Sequence, residues 1–230
     1  MRNHLFRAAV VAAAAATVSL AACSDTAKVL TGPVPANAPI MQRYVALGNS
    51  ITAGFQSGGI NDSTQRESYA YLLAQAAGTQ FVYASLLPGC APPLTELAGP
   101  PVNPPGACGL TQAYPFVNNV AVPGAFAADA ISPYAAAPTA LTSLLIGGKS
   151  EVRRALDANP TFVTIWLGNN EVLAPASVGV LTPIAGQSAG FIPAKTIYTN
   201  IGAAVDSLRR FAPVRGGVLI GVPPKRSCRP

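Results

Sequence analysis

Apolar residues fall along this chain in two patterns, short near-continuous runs and longer stretches spaced at the helical repeat. The densest run is Thr161 to Leu167, where Phe162, Val163, Ile165, Trp166 and Leu167 are almost unbroken. Such a segment suits a strand of a parallel sheet covered on both faces. Weaker β-prone runs are Arg43 to Leu47, stopping at Gly48, then Phe81 to Leu87, Phe116 to Val122 and Gly217 to Val222. Helical spacing lies between them. Thr64 and Glu67 have capping-box spacing ahead of an apolar face of Tyr69, Leu72, Leu73 and Ala76, with Gly78 as the stop. Ser150 is placed to cap a short helix through Val152, Ala155 and Leu156, ended by Asn159-Pro160. Ile197, Ile201, Val205 and Leu208 share one face of a helix from about Ala194 to Phe211. Strands alternating with helices predict an α/β fold, a three-layer αβα sandwich around a parallel sheet with right-handed crossovers.

The front of the chain reads differently. Arg2 and Arg7 precede an apolar stretch from Ala8 to Leu20 that is too short to span a membrane. It closes on Leu20-Ala21-Ala22-Cys23, small residues before a cysteine. This resembles a bacterial lipoprotein leader, which implies removal of residues 1–22 and acylation of Cys23 as the new N-terminus. An ordinary secretory leader with a chance cysteine is the alternative. Ser24, where an Asp would resemble an inner-membrane retention signal, favours the outer membrane. Residues 23–40, with Gly32-Pro33, Pro35 and Pro39, read as a lipid anchor and tether. The expected location is the bacterial cell envelope, lipid-anchored at the outer membrane or periplasmic face.

Export permits disulfides. Cys90 and Cys108 flank a segment rich in proline (Pro92, Pro93, Pro100, Pro101, Pro104, Pro105), a long loop that a bridge between them would staple. Cys228 has no evident partner. The 230 residues carry 50% hydrophobic and only 10% charged side chains, which excludes a disordered chain. The net charge of +6 suggests a nucleic-acid partner until its distribution is read. Arg2 and Arg7 lie in the leader and Lys225, Arg226 and Arg229 in the last six positions, so the body is close to neutral. No basic stripe remains to follow a phosphate backbone. Metal binding lacks a ligand cluster of suitable spacing. The Gly54 to Gly59 loop has neither a G-x-G-x-x-G before a helix nor a Walker lysine.

Ligands of an open parallel sheet bind beyond the carboxyl ends of the strands. Three such ends carry chemistry: Gly48-Asn49-Ser50-Ile51, then Asn118-Asn119 leading to Pro123-Gly124-Ala125, then Gly168-Asn169-Asn170-Glu171. Each alone is ordinary turn chemistry. Together and in this order they resemble the SGNH (GDSL-type) hydrolase family, over roughly residues 43 to 222. Asn49 and Glu171 each stand where the family has Asp. The resemblance implies a flavodoxin-like SGNH fold lacking its last strand and a domain over 41–222 followed by an aberrant basic tail, 223–230. It further implies a serine ester hydrolase, esterase- or lipase-like, with Ser50 as nucleophile. The oxyanion donors would be the N–H groups of Ser50 and Gly124 and the side-chain amide of Asn170. No cofactor is implied. The substrate would be an ester or acylated small molecule or glycan, with specificity set by the loops Pro88–Pro115 and Leu173–Pro193.

One part of the pattern is missing. Activating a serine hydroxyl needs a base, which the family supplies from a later Asp-x-x-His block. The sole histidine here is His4, inside the leader. Lys149, Lys195 and Lys225 have no motif context. The abrupt basic, proline-rich composition from Pro223 points to a shortened hydrolase, inactive or weak as written, with 217–222 left as an apolar edge. The alternative is a non-catalytic surface lipoprotein that binds an acylated ligand in the same cleft.

Overall fold

Alternation along the strands decides which layer each residue serves. The computed structural model describes residues 38–57, 59–87, 90, 108–132, 140–182, 190 and 192–221. All lie in one of the chain's two compact units, Pro35–Pro230. β1 (Tyr44–Gly48) pairs in parallel with β2 (Phe162–Trp166), Tyr44 opposite Phe162 and Gly48 opposite Trp166. β3 (Gly216–Leu219) pairs in parallel on the other side of β2, Phe162 opposite Gly216 and Ile165 opposite Leu219. Successive side chains point to opposite faces. Tyr44, Ala46 and Phe162 therefore join one apolar cluster, while Val45, Leu47, Val163 and Ile165 join another.

Helices close both faces. On the Tyr44 side, Ala70 and Ala74 of the helix Tyr69–Ala76 pack with Met41 and Phe81. On the Val45 side lie Leu145 and Ile146 of the helix Ala140–Ile146, Val152 and Ala155 of Glu151–Asp157, and Ala204 and Leu208 of Ala194–Phe211. The sheet is thus parallel with helices on either side, the α/β sandwich expected from the sequence. In chain order the helices are α1 (Ser50–Ala53), α2 (Asp62–Arg66), α3 (Tyr69–Ala76), α4 (Ala140–Ile146), α5 (Glu151–Asp157), α6 (Asn169–Val178) and α7 (Ala194–Phe211).

Several elements depart from the sequence expectation. The single helix expected from Thr64 is two. Asn61 caps α2, its side chain accepting from the N–H groups of Ser63 and Thr64, and Thr64 Oγ1 accepts from the Asn61 N–H at 3.0 Å. Ser68 then caps α3 by accepting from the Tyr71 N–H. Leu72 is exposed, because the face that meets the sheet is built from alanines that allow close approach. Runs 81–87 and 116–122 are not full strands: Tyr83 bridges to Asn119, Asn119 also bridges to Ala46, and Leu86 bridges to Leu110. The reason is Asn118, whose Oδ1 accepts from the Val82 N–H and whose Nδ2 donates to the Tyr44 carbonyl, each at 2.8 Å. Side-chain bonds replace backbone ones at this point, while the Val120 N–H donates to the Ala46 carbonyl and the Ala46 N–H to the Asn118 carbonyl, keeping 118–122 alongside β1. Helices α4 and α6 had no counterpart in the sequence reading, which placed a loop from Leu173. Pro39–Met41, partly assigned to the tether, is a 3₁₀ turn with Met41 buried, and the Thr161 hydroxyl donates to the Ile40 carbonyl at 2.9 Å. Packing begins there.

Cys90 and Cys108 are joined by a disulfide with Cα atoms 4.2 Å apart. On β3, the outer strand among those described, Val218 and Leu219 are exposed. Residues 1–37, with Cys23 and the leader, most of the proline-rich loop, and the tail with Cys228 lie outside the described residues.

Candidate active site

β1 ends at Gly48, and the chain turns directly into α1, whose first residue is Ser50. Asn49 makes the turn. It is buried, and its side-chain oxygen accepts from the Ile51 N–H at 3.1 Å, capping the helix. Either Asn or Asp performs that bond, which accounts for Asn49 at a position where Asp also serves. Gly54 ends α1 at φ +90, donating to the Ser50 carbonyl at 3.1 Å, and a Cβ there would come within 2.6 Å of the Gln65 backbone. Ser50 itself is half-buried, at the rim.

Two further segments close on the same corner. The Val122 N–H donates to the Gly48 carbonyl at 3.0 Å, and the Asn49 N–H to the Trp166 carbonyl at 3.3 Å. Gly124 follows in an exposed turn at φ +87, which favours glycine, and a Cβ added there would meet nothing within 4 Å. Asn170, in the first turn of α6, donates through Nδ2 to the Ala125 carbonyl at 2.8 Å. One amide hydrogen of Asn170 is thereby used and one is left. Hydrogen bonds thus link the segments that carry Ser50, Gly124 and Asn170. Asn119 has a supporting place, with Nδ2 donating to the Thr52 carbonyl at 2.8 Å and so holding the far end of α1.

Two carboxyl groups that sequence reasoning passed over or treated as incidental lie beneath this corner. Glu151, which the sequence reading did not name, is fully buried and accepts from the Gly48 N–H at 2.9 Å. Glu171 is buried and accepts from the Ala127 N–H. Burial raises both carboxyls above the ordinary glutamate range, and nearby Asp129 adds to the effect. No signal in the sequence marked Glu151, because its partner is a backbone group more than a hundred positions away. Among the described residues no group of three His, Cys, Asp or Glu side chains is arranged to hold a metal.

The surroundings are partly apolar. Ile51 beside Ser50, and Val172 and Leu173 beyond Asn170, are exposed. A groove of about 210 Å³ is lined by Ile51, Phe55, Gln56, Glu67 and Tyr69. The family model for GDSL-like lipase/acylhydrolase matches residues 44–228, most of the chain. The chain belongs to the GDSL-like lipase/acylhydrolase family. No curated protein and no solved structure matches it. Within the GDSL-like family, the parallel sheet with flanking helices is the expected α/β fold, and esters are the expected class of substrate.

Proposed function

We propose that the protein is an exported, lipid-anchored serine ester hydrolase of esterase or lipase type, with Ser50 as nucleophile. The observation that carries this reading is the convergence of the Ser50, Gly124 and Asn170 segments through the Val122–Gly48 and Asn170–Ala125 hydrogen bonds. In this reading Ser50 Oγ attacks the ester carbonyl carbon, a new C–O bond forms, and the carbonyl electrons move onto oxygen. The N–H groups of Ser50 and Gly124 and the free amide hydrogen of Asn170 meet that charge. Preorganised donors of this kind are worth about 3–4 kcal/mol each in the transition state. The groove beside Ile51 and Phe55 receives a short acyl or alkyl group.

The hydroxyl proton of Ser50 has no imidazole to accept it, because His4 is the chain's sole histidine. Turnover by this polypeptide is therefore slow, resting on the oxyanion donors and binding alone. The same observation favours a second reading, a non-catalytic envelope lipoprotein that holds an acylated ligand in this cleft. The leader residues Leu20 to Cys23 support acylation of Cys23 and a place at the outer membrane or periplasmic face.

A fluorophosphonate probe separates the two. Slow labelling of the full chain that disappears in Ser50→Ala supports the hydrolase. Binding of an acylated ligand without any labelling supports the binder and removes Ser50 as nucleophile. Incorporation of labelled palmitate, lost in Cys23→Ser, tests the anchor.

A further inference from the structure

The corner that brings Ser50 and Gly124 together is held from beneath by a side chain that belongs to neither segment. Glu151 is the first residue of α5, and it is fully buried. No Lys or Arg among the described residues forms an ion pair with it. Its Oε2 accepts from the Gly48 N–H at 2.9 Å. The Gly48 carbonyl in turn accepts from the Val122 N–H at 3.0 Å. Gly48 lies two residues before Ser50, and Val122 two residues before Gly124. A single carboxyl therefore sits at the junction of the two turns.

The arrangement is costly in a protein interior and so calls for a purpose. A buried carboxyl without a cation is unfavourable unless hydrogen bonds compensate. Here Oε1 has no hydrogen-bond partner among the described residues, while Oε2 takes a backbone donor at the end of β1. An apolar residue in the same space would leave the Gly48 N–H without its acceptor. The helix that carries Glu151 is itself fixed, with Ser150 capping it through the Arg153 N–H and Val152 and Ala155 in the core. The carboxyl is thus a rigid peg. The titratable groups that share its electrostatic surroundings are Asp129 from the turn Ala127–Ala130 and Tyr69 from α3, and α5 packs against α7.

We infer that Glu151 is a positioning residue, whose acceptor oxygen fixes the Gly48–Val122 junction and with it the spacing of the Ser50 and Gly124 N–H groups. The consequence for catalysis rests on the ester-hydrolase reading; the clamp itself does not. What the junction needs is an acceptor of this shape and not a charge. Glutamine, a neutral isostere, supplies the same acceptor.

The test uses the full chain with Glu151→Gln and Glu151→Leu, checked for a cooperative melt. Should the leucine variant fail to fold, Glu151→Asp, which withdraws the acceptor by one methylene, takes its place. Two readouts are followed: hydrogen exchange of the Gly48 and Val122 amides by NMR, and the rate of Ser50 labelling by a fluorophosphonate. The glutamine variant is expected to keep both close to wild type. The leucine or aspartate variant is expected to speed exchange of the Gly48 N–H at least tenfold and to slow labelling by about 100-fold, as misplacement of roughly 1 Å does. A folded leucine or aspartate variant with unchanged Gly48 exchange overturns the clamp, and so does a glutamine variant as impaired as leucine. If exchange moves as expected while wild type is never labelled, the clamp stands and the Ser50 reading falls.

Discussion

The side-chain amide of Asn170 donates to the carbonyl of Ala125 at 2.8 Å, tying the start of α6 to the turn that contains Gly124. This one bond sets how the remaining amide hydrogen is aimed. Asn170→Asp replaces the donor with a carboxylate that the Ala125 carbonyl repels. The expected result is loss of the tie, a stability cost of about 1–3 kcal/mol from the unmade bond, and Ser50 labelling slowed about 100- to 1,000-fold. Denaturant titration and labelling kinetics of the same preparation check both effects.

The proposed lack of an imidazole base makes its own prediction. Added imidazole should accelerate Ser50 labelling, and the acceleration should grow as pH rises through about 6.5, where an imidazole group loses its proton. Ser50→Ala should abolish it. Labelling indifferent to imidazole would mean that another group in the cleft already takes the proton.

Gly124→Ala separates conformation from crowding. A methyl group there meets nothing within 4 Å, but the backbone stands at φ +87. The expected cost is therefore conformational strain alone, about 1–2 kcal/mol in a denaturant titration. A larger loss would place an unseen neighbour against the turn.

The buried carboxyls should leave their mark on stability versus pH. Glu151 and Glu171 have native values raised above the ordinary glutamate range, by burial first and by Asp129 second. The native state therefore holds these protons more tightly than the unfolded chain. Their contribution is full below the unfolded value and is lost as pH rises from there through the native one. In melts across this range the wild type should fall relative to Glu151→Gln, whose side chain does not titrate. Parallel curves for the two proteins would contradict the assignment.

Reduction of Cys90–Cys108 removes a link across a sequence separation of 18. Closing a loop of that size constrains the unfolded chain by about 3 kcal/mol. Melting with and without reductant, with Cys90→Ser/Cys108→Ser as control, should show a drop of that order.

How much of this was legible before any coordinates depends on how local the determinant is. α7 runs from Ala194 to Phe211 as expected, because an apolar face repeated over 18 residues is a strong periodic signal. β2 was equally plain, being apolar on both faces. Runs 81–87 and 116–122 looked like strands, yet the Asn118 side chain interrupts the ladder, and no propensity records such a bond. Asn61 displaced Thr64 as a cap by lying three residues earlier with a better acceptor. At the site, Ser50, Gly124 and Asn170 were each ordinary turn residues, and they stood out only through the family resemblance of the three blocks taken together. Glu151 did not, since an acidic residue after a cap is ordinary in any helix.

The pairing of β1 with β2 also dictates when the site can exist. The Arg43 N–H is held by the Thr161 hydroxyl across 118 positions of chain, and the strands that follow align from there. Contacts so distant in sequence form late and slowly, after the entropy of closing the intervening loop is overcome. Ser50 emerges early from the ribosome and its carbonyl finds Gly54 at once, but the corner completed by Trp166 and Asn170 waits for residues more than a hundred positions later. A nascent chain therefore carries Ser50 without its corner, and the cleft assembles only late in folding.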